Sequence, residues 1–252
     1  MSNDLNLCQF SCGAASAVAT KIALAQFPDR ELLIVNAFIR EEDAGNRRFL
    51  ADCEQWFAHP ITVLRDEKYG ASIFEVWKRK RFMKGLRGAP CSRELKRKVL
   101  DQVRRPDDIV IFGFTVEEEG RFEDFQDRNP DIRAVAPLVE RGLTKGDCLG
   151  MVERAGIVLP LAYRDGFANA NCAACPKGGE GYWNRVRIYR PDAFKEAMSI
   201  QEEIGEGAYF FRNRKTGVRF GLKDLDPNAG RHDEPVPTCS FFCELAEQEY
   251  AA

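Results

Sequence analysis

Two nearly unbroken apolar runs, Leu32-Leu33-Ile34-Val35-Asn36-Ala37-Phe38 and Ile109-Val110-Ile111-Phe112-Gly113-Phe114, constrain this chain more than any other feature. Neither shows the polar alternation of a sheet with one wet face. Strands that read this way are covered on both sides, as in a parallel sheet. Residues 5–10, 61–64 and 132–136 read as further short strands. Helical patterns fall between them: an Ala-rich stretch at 14–26, residues 47–57 with Phe49, Cys53 and Trp56 at helical spacing, and the basic stretch 74–82. A further helix at 92–103 has Ser92 placed as its N-cap. Strand–helix alternation of this kind predicts an α/β fold, a doubly wound and mostly parallel sheet, over about residues 1–160.

After Pro137 the texture changes. Thr144 is placed to cap a helix over 145–155 that ends at Gly156. Pro191 fits the first turn of a helix over 192–204, which Gly205 closes. Between them, residues 165–185 (DGFANANCAACPKGGEGYWNR) are rich in Gly, Asn and Cys and read as an irregular loop organised by a ligand. Residues 161–252 are therefore expected to form an irregular, cysteine-rich C-terminal extension.

The charge balance narrows the function. Lys and Arg number 37 against 39 Asp and Glu, a formal net charge of −2, so a uniformly basic nucleic-acid-binding coat is excluded while local patches are not. No apolar run reaches the roughly 18 residues that span a bilayer, and no membrane partner is expected. Met1-Ser2-Asn3-Asp4 lacks the basic and apolar stretches of a secretory signal, which points to a cytoplasmic protein. With only His59 and His232, a Ser-His-Asp hydrolase or a histidine-rich metal centre is not expected.

Nine cysteines, an odd number, argue for a reducing setting rather than a disulfide framework. Cys8, Cys53 and Cys148 read as small buried hydrophobes. Cys172 and Cys175 form a C-x-x-C, and Cys239 and Cys243 a C-x-x-x-C. Four soft sulfur ligands suit either tetrahedral zinc or a [4Fe–4S] cluster, and spacing does not choose between them.

A second feature sits where the first strand meets the first helix, at Phe10-Ser11-Cys12-Gly13-Ala14-Ala15-Ser16. Small residues there let backbone N–H groups approach a phosphate at a helix N-terminus. A tight βα turn that merely needs room to pack would read the same way. The segment is neither a G-x-G-x-x-G fingerprint nor a Walker A loop.

This turn resembles the PP-loop of the adenine nucleotide α-hydrolase-like superfamily, usually S-G-G-x-D-S. Ser11, Gly13 and Ser16 match, whereas Cys12 replaces a Gly and Ala15 replaces the Asp. Further segments follow in the order of the phosphoadenosine phosphosulfate (PAPS) reductase family. Cys91-Ser92-Arg93-Glu94-Leu95-Lys96 resembles its C-[ST]-x-x-L-K, and Gly113 to Arg121 its G-x-R-x-x-E-x-x-R, with Thr115 in place of the first Arg. Gly142-Leu143-Thr144-Lys145 and the Asn171 to Gly179 loop with Tyr182-Trp183 are similar to a branch common in phage and prophage proteins.

The resemblance implies a Rossmann-like sheet with an adenine nucleotide, either ATP or PAPS/APS, at the C-terminal ends of its strands, held by Ser11, Cys12, Gly13, Ala14, Ala15 and Ser16. Lys96 and Arg121 would supply charge to phosphate or sulfate, and Glu117 to Glu119 a ligand for magnesium. It tips the metal toward [4Fe–4S], with zinc as the alternative. Cys172, Cys175, Cys239 and Cys243 are the expected ligands and Cys91 the substitute. The implied reaction is iron–sulfur-dependent sulfur transfer to a nucleic acid (RNA or DNA) or small acceptor through an adenylylated intermediate. Sulfonucleotide reduction with Cys239 as nucleophile is an alternative, although the family's E-C-G-x-H surroundings are absent. A nucleotide-binding module without turnover is another, and Ala15 and Thr115 are the departures that feed it.

Two surfaces carry double readings. Tyr182 and Trp183 with Lys177, Arg185, Arg187 and Arg190 suit either stacking on single-stranded nucleic acid or packing over the cysteine loop. The Lys78-Arg79-Lys80-Arg81 strip suits either phosphate contact or an ordinary exposed helix face.

Overall fold

The computed structural model describes residues 6–28, 31–85 and 88–230. In chain order, β1 (Asn6–Gln9) leads into α1 (Ala14–Gln26), β2 (Leu32–Ala37), α2 (Ala44–Phe57) and β3 (Ile61–Leu64). Next come α3 (Ile73–Lys80), α4 (Pro90–Ser92), a π-helical turn over Arg93–Arg97, and α5 (Lys98–Asp101). β4 (Ile109–Ile111), α6 (Glu119–Arg128), β5 (Ala134–Val135), α7 (Lys145–Arg154) and α8 (Leu161–Arg164) follow. The described chain ends with α9 (Glu180–Tyr189), α10 (Pro191–Ile204) and a hairpin of β6 (Phe211–Arg212) with β7 (Arg219–Phe220).

Contacts divide the fold into two compact units. The first is drawn from residues 1–38, 44–64 and 99–164, and it holds a five-stranded sheet ordered β3-β2-β1-β4-β5. Every pairing is parallel, with Cys8 opposite both Ile34 and Ile111. The fold is α/β, consistent with a Rossmann-like arrangement. Both long apolar runs form strands because each side chain finds cover: Ile34, Val35, Val110 and Ile111 are all buried. The strand read at 132–136 shortens to Ala134–Val135, which pairs only with β4.

α1 earns its place through small residues. Ala14, Ala17 and Ala23 are fully buried, and the helix packs against α7. Phe10 anchors the other side by stacking on Phe49 at 6.1 Å and meeting Phe57 edge-on at 5.7 Å. α7 begins as its sequence implies. Thr144 accepts from the Asp147 amide, and Asp147 returns a carboxylate to the Thr144 amide, a full capping box.

The second unit is drawn from residues 39–43, 65–98 and 165–252. α3, α9 and α10 pack together around Trp77 and Trp183, both fully buried. Trp183 lies between Phe194 and Phe210, at 6.1 and 5.6 Å. α10 starts on Pro191 and stops at Gly205, as its sequence signals require.

Two expectations are corrected here. Ser92 does not cap a helix: it has helical backbone angles inside a helical stretch that Pro90 starts, with Ala89 as N-cap. The irregular loop also stops at Gly179, because residues 180–189 are α9, whose Trp183 and Val186 are buried on one face.

One close approach fixes how the sheet meets α1. A Cβ on Gly113 would lie 2.8 Å from the Ser16 Cα and 2.9 Å from its nitrogen, both backbone atoms that cannot step aside. We expect Gly113→Ala to destabilise the protein by about 1–3 kcal/mol, the usual cost of overpacking, read as a lower midpoint of thermal unfolding.

Candidate functional site

Within the first unit, the chain order places a switch point between β1 and β4. The strands β1, β2 and β3 proceed to one side of β1, and β4 returns on the other. In such sheets ligands lie outside the carboxyl ends of the strands at this point. The turns that follow β1 and β4 meet there, through the Gly113–Ser16 approach.

The turn after β1 is a compact polar corner. The Ser11 amide and hydroxyl both donate to the Ser16 hydroxyl at 3.2 Å, and Ser16 donates to the Gly13 carbonyl at 2.9 Å. Cys12 is fully buried in a left-handed conformation, φ 57°, unusual for a residue with a side chain. Asn36 steadies it from β2 by donating to the Phe10 carbonyl at 2.8 Å and to the Cys12 sulfur at 3.5 Å. Gly13 caps α1 without a side-chain hydrogen bond. The Ala14 amide donates to the Tyr163 hydroxyl at 3.2 Å, a contact between residues remote in sequence that no local pattern announces.

After β4, Thr115 opens a capping box with Glu118. Arg121 lies over the Phe114 ring at 5.2 Å and pairs with Glu118. Glu117 accepts from the Lys145 amide at 3.1 Å, and the Thr115 hydroxyl, with the Glu117 and Lys145 amides behind it, outweighs burial and holds its carboxyl below the ordinary value. Burial lowers the Lys145 amine in turn. The acidic run thus serves helix starts and ion pairs.

The second unit contains the cysteine site. Cys91, Cys172 and Cys175 line one cavity together with Lys96 and Lys177, and Ile39, Ile73 and Ala89 supply apolar walls. The three cysteines are buried thiols, and Lys96 is only 8% exposed. Cys91 and Ser92 come from α4. The π-helical turn explains how Lys96 joins them: i→i+5 bonding widens the helix and carries Lys96 back toward the face of Cys91. With α geometry, five residues of 100° each would leave the two about 140° apart. The Lys96 ammonium faces Glu42, whose side chain is 3% exposed, at 3.8 Å.

Several fixings hold the Cys172–Cys175 segment. The Ala173 amide donates to the Glu41 carbonyl at 2.8 Å, while the Glu41 carboxylate accepts from Ser72 and from the Ile73 amide at the start of α3. Arg190 pairs with Asp43 and, at 2.7 Å, with Asp165. The Tyr182 hydroxyl accepts from the Cys175 amide and donates to the Cys172 carbonyl, both at 3.0 Å. Burial, with Cys175 nearby, pushes the Tyr182 phenol well above its ordinary value, so it remains a neutral donor.

The predicted site residues therefore separate. Ser11, Cys12, Gly13, Ala14, Ala15 and Ser16 form the corner after β1, and Arg121 lies beyond β4 in the same unit. Lys96 belongs instead to the cavity of the cysteines, buried rather than on a solvated face. Cys91, an alternative ligand by sequence, shares that cavity with Cys172 and Cys175. Cys239 and Cys243 lie outside the described residues. Among the described residues, no three His, Cys, Asp or Glu side chains converge as a ready-made metal site. Three buried thiols in a largely apolar cavity with two lysines are nonetheless the right donor chemistry for an anionic iron–sulfur cluster.

Other expectations change. Trp183 is fully buried, and Arg187 packs over Phe194 at 4.6 Å, so packing rather than a nucleic-acid stacking platform accounts for this pair. The basic strip is ion-paired: Lys78, Arg79, Lys80 and Arg81 face Glu196, Glu75, Glu94 and Glu203. Burial would raise the Glu94 carboxyl, but Lys98, Lys80 and Arg93 outweigh it and hold it below the ordinary value.

No family model matches the chain, and no curated protein is significantly similar to it.

Three further thiols, Cys8, Cys53 and Cys148, are buried in the first unit. Burial pushes Cys8 and Cys148 up to about 12, and raises Cys53 as well. An unfolded thiol ionises near pH 9 while these folded ones hold their protons, so their contribution to stability is complete below pH 9 and drains away as pH rises toward 12. We expect the unfolding midpoint to fall over that window, and to fall less in Cys8→Ala than in the parent, measured by denaturant titration at successive pH values.

Proposed function

We propose that this protein is an adenine-nucleotide-binding enzyme of the PAPS-reductase-like PP-loop kind that carries out iron–sulfur-dependent sulfur transfer. The observation that carries the reading is the shared cavity: Cys91, Cys172, Cys175 and a buried Lys96 come together from segments far apart in the chain. Lys96 is buried with the Glu42 carboxylate 3.8 Å away, so the cavity holds a buried ion pair beside its three thiols. The nucleotide reading rests on the corner after β1, at the switch point of a parallel sheet, with the Ser11 and Ser16 hydroxyls beside the N-terminus of α1 as phosphate partners.

Cys91, Cys172 and Cys175 would hold the cluster, with a fourth ligand sought in Cys239 or Cys243. When bound, the cluster would supply soft iron able to hold and deliver sulfide. The chain's own groups have separate tasks. Lys96 and Lys177 offset negative charge inside the cavity, and the apolar walls keep water from the sulfur. In the proposed reaction an acceptor oxygen, on RNA, DNA or a small molecule, attacks the α-phosphate of ATP and pyrophosphate leaves. AMP then departs as sulfur takes its place. Magnesium would accompany the nucleotide phosphates.

One observation favours a nucleotide-binding module without turnover: the Tyr163 hydroxyl already takes the Ala14 amide, and Ala15 offers no carboxylate beside it. Pyrophosphate release separates the readings. An enzyme releases pyrophosphate from ATP in the presence of RNA or DNA, and Ser11→Ala lowers the rate by about tenfold or more, the loss of one well-placed phosphate hydrogen bond. Nucleotide binding without release identifies the module.

The metal has its own test. Anaerobically purified protein is expected to contain iron and acid-labile sulfide in similar amounts, and Cys91→Ala and Cys172→Ala each to lose most of both. A colourless protein with stoichiometric zinc overturns the iron–sulfur assignment.

A further inference from the structure

We infer that Tyr182 is the positioning residue of the cysteine centre, a role that rests on the reading of the cavity as a cluster site. Its hydroxyl bridges the two ends of the C-x-x-C, accepting from the Cys175 amide and donating to the Cys172 carbonyl, each at 3.0 Å. One rigid phenol thereby sets the distance between the two backbone positions that carry the thiols. Both partners are main-chain groups, so the clamp acts on the loop whatever rotamers the cysteines adopt.

The chain makes room for this ring and fixes it. A Cβ on Gly178 would lie 2.0 Å from Tyr182 Cδ1, so glycine is what lets the phenol lie across the loop. Phe167 meets the ring edge-on at 5.5 Å, and Trp183 does so at 6.0 Å. α9 anchors the whole device, since Tyr182 lies in its first turn beside the buried Trp183. The loop is buried around small residues, with Ala170 and Ala174 both inside, and the clamp adds a fixed hydrogen-bonded span between its two cysteines. A ligand pair held ready before its metal arrives loses less freedom on binding and releases its metal more slowly.

Tyr182→Phe isolates the hydroxyl, since the ring and its aromatic neighbours remain. The full chain and this variant are purified anaerobically and challenged with an excess of an iron chelator, and loss of visible absorption is followed against time. Far-UV circular dichroism and the thermal midpoint check that the variant keeps the fold. We expect iron to leave the variant roughly tenfold faster or more, the usual scale for removing an outer hydrogen bond that orients a ligand. Equal rates overturn the role while leaving the cluster reading intact. A parent protein without iron and sulfide removes both. Hydrogen exchange of the Cys175 amide in the parent provides a second measurement that needs no variant: slow exchange is expected, and exchange as fast as in an open loop overturns the clamp.

Discussion

The constraint on which the structure depends is that five strands run the same way. Parallel strands cannot be joined by tight hairpins, so each pairing in β3-β2-β1-β4-β5 requires a long excursion before the chain returns. Those excursions supply α1, α2 and the long stretch between β3 and β4, and they leave every carboxyl end on one edge. At that edge the turns after β1 and β4 approach until only glycine fits at position 113. The phosphate-suited corner is a consequence of this geometry.

The stretch between β3 and β4 is the longest of these excursions, and much of it, residues 65–98, joins the later part of the chain to form the second unit. Cys91 and Lys96 are carried there, and residues 165–179 bring Cys172 and Cys175 to the same cavity. The cysteine segment is tied down by the Glu41 carbonyl, which takes the Ala173 amide, and by Tyr182 across the cysteine pair, while Arg190 in the same unit is ion-paired with Asp43 and Asp165. Irregular chain of this sort has few repeating hydrogen bonds, so single side chains take on the task that a ladder performs elsewhere.

How much of this was legible in the sequence depended on the range of the interaction. The runs at 32–38 and 109–114 became β2 and β4 because continuous apolar character is a local requirement of a doubly covered strand. Thr144, Pro191 and Gly205 mark helix ends for equally local reasons. Ser92 misled, because a serine before helical spacing looks like a cap, and Pro90 two residues earlier is the real start. The strip at Lys78 to Arg81 left phosphate contact and an exposed helix face both open because Glu196 and Glu203, which pair with two of its members, lie far along the chain. Adjacent aromatics also parted company: helical geometry sends Trp183 into the core and leaves Tyr182 over the cysteine loop. The Tyr163 contact with Ala14 had no sequence signal, since nothing nearby in the chain marks either residue for the other.

The widened turn at Arg93–Arg97 has a further consequence. Such a turn is equivalent to an ordinary helix carrying one surplus residue. Deleting one position among residues 93–95 would let the coil close to its normal pitch and leave Lys96 four residues after Cys91, about 40° away around an ordinary helix, so the cation would keep its face beside the thiols. Chains built on the same plan but lacking that surplus residue would keep both the architecture and the cation beside the first cysteine, a difference that would show in an alignment as one gap.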